Sequence, residues 1–168
     1  MAGMNQEQLT TFLQQEFPDV CTACPEQSNI PCFEIPVNQL YRVLSGLFKH
    51  QEQAYTFLTD LCGVHYPEAK GRELAVVYHL HNLKSNSRLK LKVFCSIDKP
   101  EIPSITGIFA GANWMERETY DFYGIRFLGH PDLRRILNMD EMVAFPLRKE
   151  YPLEDPTRED KADFHFGR

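Results

Sequence analysis

A chain of 168 residues that is 43% hydrophobic and 24% charged can bury one sizeable core and has the composition of a globular domain. Its net charge of −5, with Lys and Arg dispersed among the acids, argues against a nucleic-acid protein, which would carry a basic excess. No apolar run is long enough to cross a bilayer, and the opening MAGMNQEQL has neither the basic start nor the apolar stretch of a signal peptide. Export is therefore not expected, and the five Cys read as reduced, buried thiols.

Residues 5–17 place Leu9, Phe12, Leu13 and Phe17 at helical spacing, and Pro18 ends that helix because its ring has no N–H to continue the ladder. Residues 18–32, with three Pro-X breaks and three Cys, read as a loop. Residues 33–37 are a short strand candidate interrupted by Pro36. Asn38 then suits the N-cap of a second helix with one stripe of Leu40, Val43, Leu44, Leu47 and Phe48. Gly46 inside that helix costs about 1 kcal/mol relative to Ala, so packing must compensate.

Residues 54–64 are a mixed run that suits one strand. Residues 74–83 and 88–97 are the clearest elements, joined by a Lys84-Ser85-Asn86-Ser87 turn. Alternation puts Leu89, Leu91, Val93, Cys95 and Ile97 on one face. Pairing Leu83 with Arg88 sets Leu80 against Leu91, Tyr78 against Val93 and Val76 against Cys95, with His81 beside Lys90 and His79 beside Lys92. Both faces then sort correctly, and a one-residue slip would invert them. One face is core; the other is wet or covered by a polar partner.

Residues 104–123 read as a third helix, stopped by Gly124 at its C′ position. Residues 125–127 are extended, and His130-Pro131-Asp132 reads as the start of a further helical turn. From Pro146 the pattern changes. The last 23 residues hold three Pro, eleven charges and scattered Leu147, Tyr151, Leu153, Phe164 and Phe166 with neither a helical nor a strand period. The expected division is a domain of residues 1–145 and an extended arm of residues 146–168 that orders against a partner. The fold class is α+β, a mostly antiparallel sheet with flanking helices and that arm.

The chemistry-bearing residues admit several readings. Cys21-x-x-Cys24, with Cys32 beyond, resembles half of a zinc or iron–sulfur ligand set but lacks a fourth ligand and a second C-x-x-C; incidental loop thiols are the plainer reading. His79 and His81 share a strand face, but neighbouring Lys90 and Lys92 would oppose a dication. Glu116 and Glu118 suggest an acid/base pair, but residues two apart on a helix do not face one substrate. Arg117 can reach Asp121 at i+4, which suggests a charge pair that fixes an interface. Arg134, Arg135, Arg148 and Lys149 form two basic doublets suited to an anion or to an acidic partner.

Residues 116–137, ERETYDFYGIRFLGHPDLRRIL, concentrate charge and aromatic rings more densely than a private core requires. Glu116-Arg117-Glu118, Asp121-Phe122-Tyr123, His130 and Arg134-x-Ile136-Leu137 resemble the signature of the thirty-kilodalton-subunit family of respiratory complex I. The GHPDLRR run at 129–135 and PLRKEYP at 146–152 are similar to the family's flanking motifs, and the likeness covers most of the chain except about the first thirty residues.

The resemblance implies a non-catalytic structural subunit of the hydrophilic arm of a proton-translocating NADH:quinone oxidoreductase, the C-type subunit of bacterial complexes, with no catalytic residue, metal or cofactor of its own. FMN, iron–sulfur clusters and quinone would lie on partner subunits. Its interface residues would be Glu116, Arg117, Glu118, Asp121, Phe122, Tyr123, His130, Arg134, Ile136, Leu137, Arg148 and Lys149. The C-terminal arm would run along the forty-nine-kilodalton D-type subunit, which with the B-type subunit forms the quinone site; the I-type subunit is a further expected partner. The expected location is the cytoplasmic side of the bacterial inner membrane, peripheral, as a separate polypeptide not fused to a D-type subunit. The alternatives are the photosynthetic relative, the J-type subunit, a redox protein with metal on Cys21, Cys24 and Cys32, and a hydrolase using Glu116 or Glu118.

Overall fold

The computed structural model describes residues 6–24 and 29–151. Helix α1 (Gln6–Glu16) leads to a two-residue strand β1 (Thr22–Ala23), then β2 (Cys32–Glu34), a 3-10 turn (Val37–Gln39) and α2 (Leu40–Lys49). Three long strands follow, β3 (Phe57–His65), β4 (Leu74–Asn82) and β5 (Ser87–Cys95). A short β6 (Glu101–Pro103), α3 (Ala112–Tyr123) and β7 (Arg126–Leu128) complete the regular structure. The main sheet has the order β1-β2-β5-β4-β3 and is antiparallel except where β2 joins β5 in parallel; β6 and β7 form a separate parallel pair. This is the expected α+β class.

All three helices pack on one face of the sheet. Leu9, Leu13 and Phe17 of the first helical region and Leu40, Val43, Leu44 and Leu47 of α2 join Leu74, Val76, Tyr78, Leu80, Leu89, Leu91 and Val93 in one core. Helix α3 covers β3 on the same side: Gly63 lies opposite Val76, and a Cβ at Gly63 would sit 2.5 Å from the Tyr123 ring.

Several expectations change. Asn38 is not an N-cap; it lies inside the 3-10 turn, and Gln39 precedes α2 without a side-chain cap bond. Within the expected 18–32 loop, Thr22 and Ala23 pair with Glu34 and Phe33. The β4–β5 register differs by two residues: Val76 faces Val93, Tyr78 faces Leu91, Leu80 faces Leu89, His79 faces Lys90 and His81 faces Arg88. Every side chain keeps its face, because alternation determines parity and a two-residue shift preserves it. The turn makes the choice. Asn82 Oδ1 accepts the amides of Lys84 and Ser85 at 3.0 and 3.2 Å, Asn86 takes a left-handed φ of 53°, and the closing pair becomes Asn82 with Ser87.

The third helix begins at Ala112, not at 104. Ser104 Oγ accepts the Thr106 amide at 3.2 Å, and the Ser104 amide donates to Leu128 O at 2.9 Å, so local hydroxyl bonding and the short β6–β7 pair claim this stretch before a helix can start. Among the described residues no helix follows His130-Pro131-Asp132; residues 129–151 run as turns and irregular backbone.

Gly46 shows how packing offsets poor helix propensity. A Cβ there would lie 2.6 Å from Phe17 Cζ, a ring itself nearly buried, so the ring just beyond α1 rests directly on the α2 backbone. Gly46→Ala should therefore destabilise the fold although Ala gains about 1 kcal/mol in helix propensity, since overpacking costs about 1–3 kcal/mol. Urea unfolding is the check; a raised midpoint would contradict the close approach.

Candidate interface site at the end of the third helix

Helix α3 ends where Gly124 adopts a φ of 75° and its amide donates to Tyr120 O at 2.8 Å. The glycine is required twice over: besides its positive φ, a Cβ would lie 2.6 Å from the Phe145 ring and 2.7 Å from Arg148 Nη2. The chain thus returns over the end of its own helix.

Asp121, fully buried, holds that return. Its Oδ2 accepts the amides of Ile136, Leu137 and Asn138 at 3.1, 2.8 and 2.9 Å. Its Oδ1 accepts Asn138 Nδ2 at 3.0 Å and Arg135 Nη1 at 2.6 Å. The same guanidinium donates to the carbonyls of Asp121, Met142 and Ala144. Burial opposes ionisation of Asp121, but the Asn138 and Leu137 amides, the Arg135 guanidinium and the Asn138 side-chain amide outweigh it. They hold the carboxyl well below the usual carboxylate range.

Arg117, one turn earlier, does not pair with Asp121 as its i+4 spacing suggested. Its Nε donates to Arg134 O and its Nη2 to Arg135 O, each at 3.2 Å. One face of α3 therefore grips an irregular stretch of backbone from both sides: the arginine takes carbonyls and the aspartate takes amides. Arg134 is exposed and pairs with Asp132 at 2.9 Å, so the two arginines of that doublet have separate roles.

The second doublet also splits. Arg148 Nε donates to Tyr123 O at 2.7 Å, and its guanidinium carbon lies 4.6 Å from the Phe145 ring centre, with Arg135 at 5.3 Å. The backbone of Lys149 donates to His65 Nδ1 at 2.9 Å, and the Leu147 amide to Phe122 O at 3.2 Å. The first residues of the expected arm are thus fastened to α3 and β3. Residues 152–168, with Leu153, Phe164 and Phe166, lie outside the described residues.

Glu116 and Glu118 diverge, so they form no acid/base pair. Glu116 is fully buried; its Oε1 accepts the Ile105 amide and its Oε2 the Ser104 hydroxyl, both at 2.7 Å. His130 Nε2 lies 3.9 Å from Oε2 but donates to Asn113 O at 3.1 Å, while Nδ1 accepts the Asp132 amide at 3.0 Å. Burial raises the Glu116 carboxyl to about 7, against the lowering effect of the Ile105 and Ser104 bonds. Glu118 is exposed and lines a groove of about 290 Å³ with Asp60, Cys62, Phe122, Tyr123 and Leu147.

The tethered segment is rich in uncovered apolar side chains. Leu137, Met139 and Val143 are 66%, 73% and 93% exposed, and Trp114, Leu128 and Leu147 are exposed as well. Ile136 is half-buried. Sequence reasoning missed Asn138 and Phe145 as members of the site and named Arg135 only as half of a basic doublet, not as the buried partner of Asp121. The repeated Arg in Gly-His-Pro-Asp-Leu-Arg-Arg marked the place but not which arginine is buried. Cys21 and Cys24 are half-buried and Cys32 is buried; burial raises the Cys21 thiol to about 11. Among the described residues no three His, Cys, Asp or Glu side chains converge to hold a metal ion, and no helix is long and apolar enough to cross a membrane.

The family model for the respiratory-chain NADH dehydrogenase 30 kDa subunit matches residues 33–157. The C 2 subunit of NADH-quinone oxidoreductase from Rhizobium etli is 41% identical over 143 residues, spanning 84% of this chain and 74% of that protein. The C subunit of the same enzyme from Moorella thermoacetica is 38% identical over 142 residues, 84% of this chain and 92% of its own length. Among solved structures, the trypsin-resistant fragment (1–134) of Nqo5 superposes with a TM-score of 0.62 at 27% identity, covering 74% of this chain and 98% of the fragment. A chain of the archaeal membrane-bound sulfane sulfur reductase shares the fold, with a TM-score of 0.73 at 21% identity over 92% of this chain and 96% of that one. The chain belongs to the 30 kDa subunit family of respiratory-chain NADH dehydrogenase.

Two outcomes follow from the site. Asp121→Ala removes the acceptor of three amides and strands Arg135, a loss of about 3–5 kcal/mol for a buried pair broken on one side. Hydrogen exchange at Ile136, Leu137 and Asn138 should accelerate while α1 is unchanged; uniform exchange across the chain would contradict a local tether.

Glu116 makes a pH prediction. Below pH 4.5 it is protonated whether the chain is folded or not. Between pH 4.5 and about 7 the unfolded chain releases a proton that the folded chain keeps, so stability falls as pH rises, by about 3 kcal/mol in all. Glu116→Gln should flatten that slope in urea titrations from pH 4 to 8; parallel curves for the two proteins would refute it.

Proposed function

We propose that this chain is a non-catalytic structural subunit of the peripheral arm of a proton-translocating NADH:quinone oxidoreductase. Its task is to hold the quinone-site subunits in place while electrons pass from NADH through FMN and iron–sulfur clusters to quinone, all of them carried by partner subunits. The partners are the forty-nine-kilodalton D-type subunit and the B-type and I-type subunits, on the cytoplasmic side of a bacterial inner membrane. The observation that carries this reading is the segment 134–149. Buried Asp121 and Arg135 hold it in place, yet it presents Leu137, Met139 and Val143 outward. A chain that commits buried charge to fixing an irregular segment and leaves its apolar side chains in water has built a face for another protein.

Family membership supports the complex, and the similarity to bacterial C-type subunits favours that form over the photosynthetic J-type subunit. Residues 152–168 are the remaining part of the expected arm and the segment through which the D-type subunit would be reached. Because Leu147, Arg148 and Lys149 are bonded to the domain, the informative cut comes after Tyr151.

The tagged full chain, purified from its own cells in mild detergent, should bring down the D-type and B-type subunits. The chain truncated after Tyr151 should keep its circular dichroism and lose at least tenfold in partner recovery. Full recovery with the truncated chain would remove the arm from the interface. Recovery of the full chain alone would remove it from the complex.

A further inference from the structure

The basic doublets of the sequence do not make a basic surface. Arg117 donates to the carbonyls of Arg134 and Arg135, Arg135 to Asp121 and to the carbonyls of Met142 and Ala144, and Arg148 to Tyr123 O. Arg134 is paired with Asp132, and Arg148 Nη1 lies 3.7 Å from Glu150. Two acids, Glu116 and Asp121, are buried as well. What stays outside is mostly negative. Glu118, Asp140 and Glu141 are exposed, as is Asp60 on β3, and among the described residues none of the four makes an ion pair. Against them, Arg126 and Lys149 are the exposed cations of residues 116–151 that make none among the described residues.

These acids stand beside the uncovered apolar groups. Asp140 and Glu141 follow Met139 and precede Val143, all four exposed. Asp60 and Glu118 line the groove of about 290 Å³ at the β3 edge of the sheet, with Phe122, Tyr123 and Leu147 as its apolar wall. Burial raises the Cys62 thiol, and the Asp60 and Glu118 carboxylates raise it further, so the fields of both acids reach one point of that groove. Leu147 is exposed and its amide donates to Phe122 O at 3.2 Å, which makes the groove continuous with the tethered segment.

We propose that residues 136–147 and the adjoining Asp60–Glu118 groove form one docking face for a neighbouring protein chain whose own surface is apolar at its centre and basic at its rim, with a Lys or Arg of that neighbour seated in the groove. Leu137, Met139 and Val143 meet the apolar centre, and Asp140 and Glu141 meet the basic rim. The groove suits a long basic side chain in both its parts: Phe122, Tyr123 and Leu147 take the methylene stem, and the two carboxylates take the charged end. An acidic partner, an anionic membrane or a nucleic acid would bring like charge against unpaired carboxylates on both parts of the face. The sign of the partner is thus the reverse of what the two basic doublets suggest in the sequence. The inference rests on the chain's place as a subunit of a larger complex.

Carboxyl labelling with carbodiimide and glycine ethyl ester, on the purified complex and on the isolated full chain, tests it. Asp60, Glu118, Asp140 and Glu141 should label at least tenfold less in the complex, with exposed Glu52 as the reference. Carbodiimide without the added amine should join one of the four to a Lys of a neighbouring subunit. Asp60→Lys with Glu118→Lys, and separately Asp140→Lys with Glu141→Lys, should leave circular dichroism unchanged and lower partner recovery at least tenfold. If the chain co-purifies with its partners but the four carboxylates label fully, the docking face is refuted while the subunit assignment stands. A cross-link from Asp60 or Glu118 to Lys161 of the same chain would give the groove to this chain's own C-terminal residues and refute it as well. Failure to co-purify at all overturns both.

Discussion

One carboxylate organises the stretch that follows the last strand, residues 129–151. Residues 129–151 contain no helix or strand, so their backbone amides and carbonyls have no ladder to join. Asp121 answers three consecutive amides, and Arg135 and Arg117 between them answer the carbonyls of residues 134, 135, 142 and 144. Side chains of α3, helped by Arg135 of the segment itself, therefore do for this stretch what a neighbouring strand would do in a sheet. The advantage is shape. A segment held by side chains need not be straight or flat, and its own apolar groups remain available to face outward.

That arrangement accounts for the density of charge in residues 116–137. Glu116 ties the start of α3 to the Ser104–Ile105 turn, Asp121 ties its end to the returning chain, and Gly124 lets Phe145 and Arg148 close over the helix terminus. Each position tolerates little else: a buried acceptor, a buried acceptor with a guanidinium partner, and a residue without Cβ at positive φ. The charges in this stretch therefore serve architecture first.

The legible parts of the sequence were those decided by periodicity. The stripe of α2, the faces of β4 and β5 and the glycine stop of α3 all follow from spacing and local backbone demands that a single segment carries within itself. What escaped depended on competition between neighbours of equal merit. Two hairpin registers sort the faces equally well, and only the Asn82 side chain and the left-handed Asn86 distinguish them. Arg117 can reach Asp121 along the helix, but backbone groups of residues 134–138, distant in sequence, bind both better. The turn-rich stretch before Ala112 reads as helix until the strand pair β6–β7, whose halves are separated by the whole of α3, claims its start. The parallel contact of β2 with β5 could not be read at all, since no local pattern in three residues specifies a partner nearly sixty positions away.

That parallel contact has a bearing on synthesis. A chain emerging from the ribosome presents α1, α2 and β2 long before β5 exists, and their apolar faces have only one another to cover them until β4 and β5 follow. Closing the loop from β2 to β5 costs entropy that no earlier contact offsets, so the N-terminal elements must wait while the antiparallel hairpin, local and quick to form, appears behind them. The nascent N-terminal portion is thus a natural client for a chaperone, and its exposure ends only when residues 87–95 have cleared the exit tunnel.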